Sequence, residues 1–310
     1  MLILIICIIF LLILIYLGYK YVSVPGKIVW ISEGYNNELK DFESRLRQDY
    51  PLGNDSFRIS HGPDYYAFFK RLGKVYMKGS FKDGELIGVG CGVLRKIKCN
   101  REKWDTAWDT VWDTVWYMCD LKVTKKYRRR HIILKMLIQS MNKLSLSNKV
   151  YGISMNNNTD NITLKLAKRI PFLNFKEGPQ LMIYSLNYDK LIIALPIVKK
   201  YRGNISFLSL NGIKDLILKS TGEPMKLLHL QWTNDSENDS ENYTGKGKDK
   251  TNTDNINDLK KDYTYMFCCP KNDPMYKELK KVNIETEISA TIIHYNMDDC
   301  DWKFIMTSEI

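Results

Sequence analysis

Several features on which common protein functions depend are absent from this sequence. Its four histidines stand apart from one another, and the vicinal pair Cys268-Cys269 has no further cysteine or histidine at the spacing of a metal site. No glycine-rich Walker loop ending in Gly-Lys-Ser or Gly-Lys-Thr occurs, which excludes a P-loop nucleotidase. We therefore expect no bound metal.

Cysteine is present but forms no regular framework. The seven cysteines are scattered and odd in number, which suits a reducing compartment better than a disulfide-stapled secreted domain. Several Asn-x-Ser/Thr sequons occur, but a chain so rich in asparagine contains them by composition alone. At 310 residues and 45% hydrophobic, the chain can bury one large core or two small ones.

Charge is missing from the stretch MLILIICIIFLLILIYLGY, Met1 to Tyr19. As a helix it would span roughly 28 Å, close to the roughly 30 Å of a bilayer core. No basic residue precedes the run and no small-residue cleavage motif follows it, which favours a membrane anchor over a cleaved signal peptide. The nearest cations, Lys20 and Lys27, follow the run, so we expect a single-pass protein with its globular part in the cytosol.

Hydrophobic periodicity predicts an α/β fold with a mixed sheet and helices on both faces. Two β-rich runs flank Asp83-Gly84, a strong hairpin signal. The stretches VWYMCDLKV and KVYGISM read as strands on either side of a helix from Arg130 to Leu146. In the second half, ISFLSL, MKLLHLQW, DYTYMFCC and ISATIIHY read as strands, with helices near IKDLILKS and PMYKELKKV.

Two segments of low complexity interrupt this pattern. Thr233 to Leu259 is polar and repetitive, which predicts a disordered insertion in a surface loop. The stretch KWDTAWDTVWDTVW, Lys103 to Trp116, repeats a four-residue unit. A four-residue unit preserves the two-residue period of a strand, so we interpret the repeat as a tandem duplication in a loop before the strand.

The strongest functional signal is DLKVTKKYRRRHIILKML, Asp120 to Leu137. A strand ends at Val123, a turn rich in lysine and arginine follows, and a helix begins near Arg130. Helix N-termini bind anions, because their first N–H groups have no partner and the helix dipole is positive there. With a net charge of +11 for the whole chain, this turn predicts a pyrophosphate site.

The same stretch resembles the central motif of the GNAT superfamily of acyl-CoA-dependent N-acyltransferases. That motif is a strand ending Leu-x-Val, a Tyr-Arg pair and the turn R-x-x-G-x-G/A, which opens a helix. Here Leu121 to Val123 and Tyr127-Arg128 match it, whereas His131 and Ile133 stand at the two glycine positions. The resemblance implies that acetyl-CoA, or a longer acyl-CoA, is bound by Leu121, Lys122, Val123, Arg128, Arg129, Arg130, His131, Ile132, Ile133 and Asn161.

Downstream, MNNNTDNITLKLAKRIPFLNF resembles the next motif of the family, a strand followed by an asparagine that opens a helix. Asn161 matches the asparagine that contacts the CoA arm. The tyrosine that many members use to protonate the thiolate would fall near Lys168, so this sequence lacks it.

A second asparagine-helix element at Asn272 predicts a degenerate second GNAT-like lobe, similar to the duplicated architecture of N-myristoyltransferases. In that family the C-terminal carboxylate is the base, which here would be that of Ile310. The predicted organisation is an anchor at residues 1–19, an acyl-CoA-binding domain at 26–190 and a degenerate lobe at 191–310 that carries the insertion 233–259.

The resemblance implies an N-acyltransferase, most simply an N-acetyltransferase, acting on an amine of a protein or small molecule. Tyr117 and Asp120 are the candidate bases, because a phenol or carboxylate on this strand can reach the thioester. Two alternatives stay open: long-chain transfer of the N-myristoyltransferase kind, and an inactive GNAT-fold scaffold at a membrane. The cluster lacks interleaved aromatics and any helix-turn-helix or zinc spacing, so we expect no nucleic-acid partner.

Overall fold

The computed structural model describes residues 25–46, 48–52, 55–102, 108–140, 146–156, 161–168, 174–233 and 259–310, together with Gly18 and Lys143. The predicted anchor, Gly18 apart, and residues 234–258 of the predicted insertion lie outside these residues. Within the described part of the chain, no helix is long and apolar enough to cross a membrane.

Thirteen strands are found in the described residues. They are β1 Lys27–Ile31, β2 Tyr50–Leu52, β3 Asp55–Ser60, β4 Lys74–Lys82, β5 Glu85–Glu102, β6 Trp108–Val123, β7 Val150–Met155, β8 Lys176–Leu186, β9 Asn204–Leu208, β10 Asp215–Leu218, β11 Leu227–Thr233, β12 Thr264–Pro270 and β13 Ser289–Tyr295. The α-helices of the same residues are α1 Asn36–Leu46, α2 Ala67–Lys70, α3 Ile132–Ser140, α4 Ile162–Ala167, α5 Tyr188–Arg202 and α6 Pro274–Lys281.

The chain divides into two compact units. The first comprises Met1–Leu46, Tyr76–Cys91 and Asp120–Leu146; the second comprises Arg47–Val75, Gly92–Cys119 and Ser147–Ile310. Strands β4, β5 and β6 contribute residues to both units. The predicted division of the chain near residue 190 stays a prediction.

In the first unit, β1 pairs antiparallel with β4, from Lys27↔Phe81 to Ile31↔Met77. A two-residue turn joins β4 to β5, with φ of 52° at Asp83 and 80° at Gly84. Both values are those of the type I′ turn that suits the twist of a hairpin, so the hairpin at Asp83-Gly84 is confirmed.

In the second unit, the strands follow the order β6-β7-β13-β8-β12-β11-β9. The pairs β6–β7 and β11–β12 are parallel, and the pairs between and beyond them are antiparallel. Two parallel pairs therefore lie on either side of the central strands β13 and β8. The predicted mixed α/β fold is confirmed at this level.

Two sequence-based predictions are wrong in the second unit or at its edge, and one helix was missed. IKDLILKS contains the strand β10, which pairs with β3 from Asp215↔Ser60 to Leu218↔Phe57, because its apolar residues find a partner strand. The helix α5 was not predicted, since Pro196 interrupts its sequence. Residues 108–115 of the repeat form the start of β6 rather than a loop.

Candidate functional site

The basic turn belongs to the first unit and is anchored by a buried tyrosine. After β6 ends, Lys125–Tyr127 forms a 3₁₀ turn, and Arg128 Nε donates to the carbonyl oxygen of Val123 at 3.2 Å. Tyr127 is buried in a small core with Ile87, Ile132 and Met136. Burial of these apolar side chains fixes the turn against the first residues of α3.

Cations surround the start of α3. Lys125, Lys126 and the run Arg128 to Arg130 are exposed. Lys82, Lys126 and Arg130 hold their charged groups 5.4, 5.6 and 6.0 Å from the centre of the Tyr127 ring. The five exposed cations of the turn form no ion pair with any described residue. Their charge is therefore available to an anion.

The backbone of the turn is left-handed at two residues that are not glycine. Arg129 has φ of 64° and His131 has φ of 58°. His131 stands at the first glycine position of the resembled motif, so the chain adopts a conformation that glycine would adopt without strain. Ile133, at the second position, is in the first turn of α3 and packs against the Tyr127 core.

Glycines of β5 allow α3 and the end of β6 to pack closely. A Cβ at Gly88 would lie 3.2 Å from Ile132 Cγ2 and 3.4 Å from the carbonyl oxygen of Lys122. A Cβ at Gly90 would lie 3.3 Å from Met136 Sδ. Gly88 and Gly90 thus serve close backbone packing inside β5.

Strand β6 departs from β7 shortly before the turn. In the second unit, the parallel register runs from Trp116↔Val150 to Met118↔Gly152 and then ends. Two residues later Asp120 has φ of 48°, a left-handed conformation that bends an extended strand. The side-chain alternation of a regular strand, which would place Tyr117 on one face with Leu121 and Val123, is interrupted at this residue.

Asp120 does not offer a free carboxylate. It lies 2.5 Å from Lys122 Nζ, and its side chain is 6% exposed. Lys122 lies in turn 3.5 Å from Glu43 of α1. A carboxylate held in such a buried network is stabilised as a structural charge, which weakens its case as the base.

Tyr117 is buried in the second unit and stacks on Tyr151, with ring centroids 4.8 Å apart and an interplanar angle of 11°. Burial chiefly, and then the neighbouring groups of Cys119 and Tyr151, raise the pKa of Tyr117 well above its ordinary value. The phenol therefore stays protonated at neutral pH. It can donate a proton or a hydrogen bond, but it is a poor general base.

Three further residues beside Tyr117 were missed by sequence reasoning. Tyr151 Oη accepts a hydrogen bond from Arg95 at 3.0 Å, and Arg95 forms an ion pair with Glu309 at 2.6 Å. The arginine and glutamate side chains are 4% and 13% exposed. An arginine in the largely apolar strand GVLRKI was a usable sequence signal of a buried charge at Arg95. The residues around Glu309 gave no signal that this glutamate would be buried.

Asn161, also in the second unit, caps α4. Its side-chain oxygen accepts from Leu164 N at 3.0 Å and from Ser154 Oγ at 3.1 Å, and its amide donates to Asn156 Oδ1 at 3.3 Å. The predicted asparagine at a helix start is therefore present, and the sequence signal was the N-cap itself. Contact of Asn161 with acyl-CoA stays a prediction.

No described group of three or more His, Cys, Asp or Glu side chains is arranged to hold a metal ion. Cys268 and Cys269 are buried and carry free thiols. Burial raises the pKa of Cys269 to about 12, so this thiol is protonated and unreactive at neutral pH.

No family model matches the chain. An uncharacterized protein of Acanthamoeba polyphaga mimivirus is 26% identical over 285 residues, covering 84% of this chain and 72% of that protein. Among solved structures, a tandem GNAT protein from the clavulanic acid biosynthesis pathway is 10% identical and covers 86% of this chain and 97% of its own, with a TM-score of 0.48. Arabidopsis thaliana NAA60 in complex with acetyl-CoA is 19% identical, covering 50% and 89%, with a TM-score of 0.33.

With TM-scores below 0.5, these two structures are similar to this chain without assigning it to their family, and the resemblance to the GNAT superfamily stays a prediction. At these identities and TM-scores it extends to no residue's role and to no substrate.

Proposed function

We propose that this protein is an acyl-CoA-dependent N-acyltransferase, most simply an N-acetyltransferase of a protein or small-molecule amine. The observation that carries the proposal is the turn at the start of α3, where five exposed cations without ion-pair partners among the described residues surround a left-handed backbone at His131. Such a turn fits a pyrophosphate, because main-chain N–H groups and cationic side chains both favour the anion.

Residues of β6 before the turn would serve the reacting end of the acyl-CoA. The main chain of Leu121 to Val123 follows the bend at Asp120, so its amides are candidates to pair with the pantetheine as an added strand. Acyl-CoA would supply the acyl group as an activated thioester. A main-chain N–H of Leu121 to Val123 would stabilise the developing oxyanion.

The binding part of this proposal is tested by isothermal titration of acetyl-CoA and myristoyl-CoA into the full chain in detergent. Arg128→Glu should weaken binding at least tenfold, through lost attraction and new repulsion. Lys135→Glu is the matched control, since it makes the same charge reversal a turn further into α3, and should change the affinity less than threefold.

Three results would contradict the proposal. Absence of binding to either acyl-CoA would remove it. Equal losses in both variants, with a steep salt dependence and no competition by CoA, would mean a general anionic surface. Preference for myristoyl-CoA by a hundredfold would replace acetyl transfer by long-chain transfer.

A scaffold without activity is the second candidate, and the ion pair of Asp120 with Lys122 favours it, because this predicted base is not free. A chain that binds acetyl-CoA but transfers the acyl group to no amine would support it. We further propose that residues 1–19 anchor the protein in a membrane with its body in the cytosol. Carbonate extraction of membranes from cells that express the full chain tests this, and release into the supernatant would refute it.

A further inference from the structure

One end of the sheet in the second unit carries an open cavity of about 580 Å³. The register of β12 with β8 ends at Pro270↔Leu181, whereas β8 runs on beside β13 as far as His294↔Lys176. The cavity is lined there by the start of β8, by the loop that follows β12 and by the end of β13. Its volume is that of a small-molecule site, on the order of 300–1,000 Å³.

A bulge in β8 shapes one wall of this cavity. Two residues of β8, Gly178 and Pro179, lie opposite the single residue Ile292 of β13. A Cβ at Gly178 would lie 3.2 Å from Cβ of Ile292 and 3.3 Å from Cδ2 of His294. Gly178 and His294 both line the cavity, so the absence of a side chain at Gly178 leaves room beside this edge of the imidazole.

The imidazole of His294 has no hydrogen-bond partner among the described residues, although His294 is only 4% exposed and its Nδ1 is fully buried. Burial lowers the pKa of His294; the carboxylate of Asp298 opposes this shift and the charge of Lys176 adds to it. The ring is therefore neutral at pH 7 and offers one N–H donor and one acceptor nitrogen. Buried polar groups are almost always satisfied by protein, water or a ligand, so an unsatisfied ring beside a cavity indicates a bound molecule.

The other lining side chains combine an apolar ring with exposed polar groups. Trp302 is buried and packs on the imidazole of His294, with ring centroids 5.3 Å apart. Asn272 is exposed, and its amide forms no hydrogen bond with a described residue. Lys271 Nζ donates to Gln180 Oε1 at 3.3 Å but forms no ion pair in the described part of the chain. The cavity thus offers an ammonium group, an amide and an imidazole to a ligand.

Nearby carboxylates limit the charge of that ligand. Glu177 lies 3.9 Å from Lys168, and Asp298 lies 2.8 Å from Lys176. The side chain of Asp273 caps α6, so a carboxylate already accepts from the first turn of this helix. These negative charges disfavour a dianion such as phosphate, whereas one ammonium without an ionic partner is enough to attract a monoanion.

We propose that this cavity binds a small organic carboxylate, with its charge against Lys271 and its polar atoms hydrogen-bonded to His294 and Asn272. The carboxylate can belong to a free acid or to the C-terminus of a peptide, since both present the same group. The site lies wholly in the second unit. It goes beyond the proposed acyl transfer and does not depend on it.

The test is a titration of the full chain in detergent, labelled at histidine and followed by NMR. The chain has four histidines, so the ring signals can be assigned by substitution. N-acetylglycine should shift one set of ring signals, and that set should be missing from His294→Phe. N-acetylglycinamide, which has the same body without the charge, should shift none at the same concentration. An acetylated tripeptide that binds more tightly than N-acetylglycine would assign the site to peptide C-termini, and weaker binding would assign it to free acids.

Lys271→Glu should weaken binding of N-acetylglycine at least about tenfold, through lost attraction and new repulsion. Lys277→Glu is the matched control, because Lys277 is also exposed and lies in α6, outside the lining of the cavity. It should change the Kd less than about twofold. Both variants should keep the melting temperature of the unaltered chain, since both lysines are on the surface.

His294→Phe separates binding from stability. It removes a buried polar ring that has no partner, so the melting temperature should stay the same or rise while N-acetylglycine binding is lost. Four results would each overturn the proposal: no shift with N-acetylglycine, an equal shift with its amide, equal losses in Lys271→Glu and Lys277→Glu, or tighter binding of inorganic phosphate than of the acid.

Discussion

Left-handed backbone in the basic turn is the residue-scale feature on which the proposed site depends. The sequence places histidine where the resembled motif has glycine, and the structure keeps the conformation that glycine favours, with φ of 58° at His131. An L residue in that region is strained by roughly 1–2 kcal/mol. Replacement by glycine would remove this strain, but part of the gain would be lost because glycine loses more conformational entropy on folding. The left-handed conformation that glycine would adopt at this position is therefore retained with histidine.

His131→Gly should raise the free energy of unfolding by up to about 1 kcal/mol, because the strain is relieved and no helical residue is replaced. Denaturant titration with tryptophan fluorescence measures it. Lys135→Gly, inside α3, is the control and should lower the free energy of unfolding by about 1 kcal/mol. If both changes lowered the free energy of unfolding equally, the contacts of the His131 side chain would stabilise the fold by more than its left-handed backbone destabilises it.

The buried imidazole of His229 predicts a loss of stability in acid. Burial chiefly, and then the charges of Lys214 and Arg71, lower the pKa of His229 to about 3. The unfolded chain binds this proton below roughly pH 6.5, whereas the folded chain does not until about pH 3. The contribution of the neutral ring is thus complete above pH 6.5 and is lost as the pH falls towards 3.

Between pH 6.5 and pH 4.5 the unaltered chain should lose about 2 kcal/mol more stability than His229→Asn, which has no proton to bind at this position. Urea denaturation at several pH values measures the two slopes. Parallel pH dependences would show that the ring titrates in the folded chain near its ordinary value.

At the scale of elements, each segment that could be predicted has a local signal. Asp83-Gly84 predicts its hairpin through the left-handed turn it allows, and Asn161 predicts the start of α4 through its side-chain oxygen. The segments that were mispredicted depend on partners distant in sequence. IKDLILKS is a strand because β3 pairs with it, and residues 108–115 belong to β6 in spite of their repeat.

Asn161→Ala should lower the free energy of unfolding by about 1 kcal/mol, since the first turn of α4 loses its acceptor, whereas Asn161→Asp should keep it. Asn187→Ala, which removes the equivalent cap of α5, is the control and should have a similar effect. Thermal unfolding followed by circular dichroism measures all three. A weaker affinity of the aspartate variant for acetyl-CoA, with stability retained, would assign the predicted contact with acyl-CoA to this residue. No change in stability with alanine would refute the cap.

At the scale of the whole molecule, the described sheet of the second unit carries two parallel pairs around the central strands β13 and β8. Each pair is in register over three residues, from Trp116↔Val150 to Met118↔Gly152 in one and from Leu227↔Thr264 to His229↔Met266 in the other. The helix of the second asparagine-helix element, α6, is capped by Asp273 rather than by Asn272, and the duplicated architecture stays a prediction. The segment Trp302–Ile310 is hydrogen-bonded to β11 and β12 through Thr307.

The sequence by itself determined the mixed α/β class, the strand ending at Val123, the basic turn and the capped helix after Asn161. These features are local, because hydrophobic period, turn chemistry and charge act over a few neighbouring residues. Only the tertiary structure decided that Asp120 is bound by Lys122, that Tyr117 is a buried, protonated phenol, and that Arg95 pairs with Glu309. Those outcomes depend on burial and on partners up to 214 residues apart in the chain, and neither can be read from a local pattern.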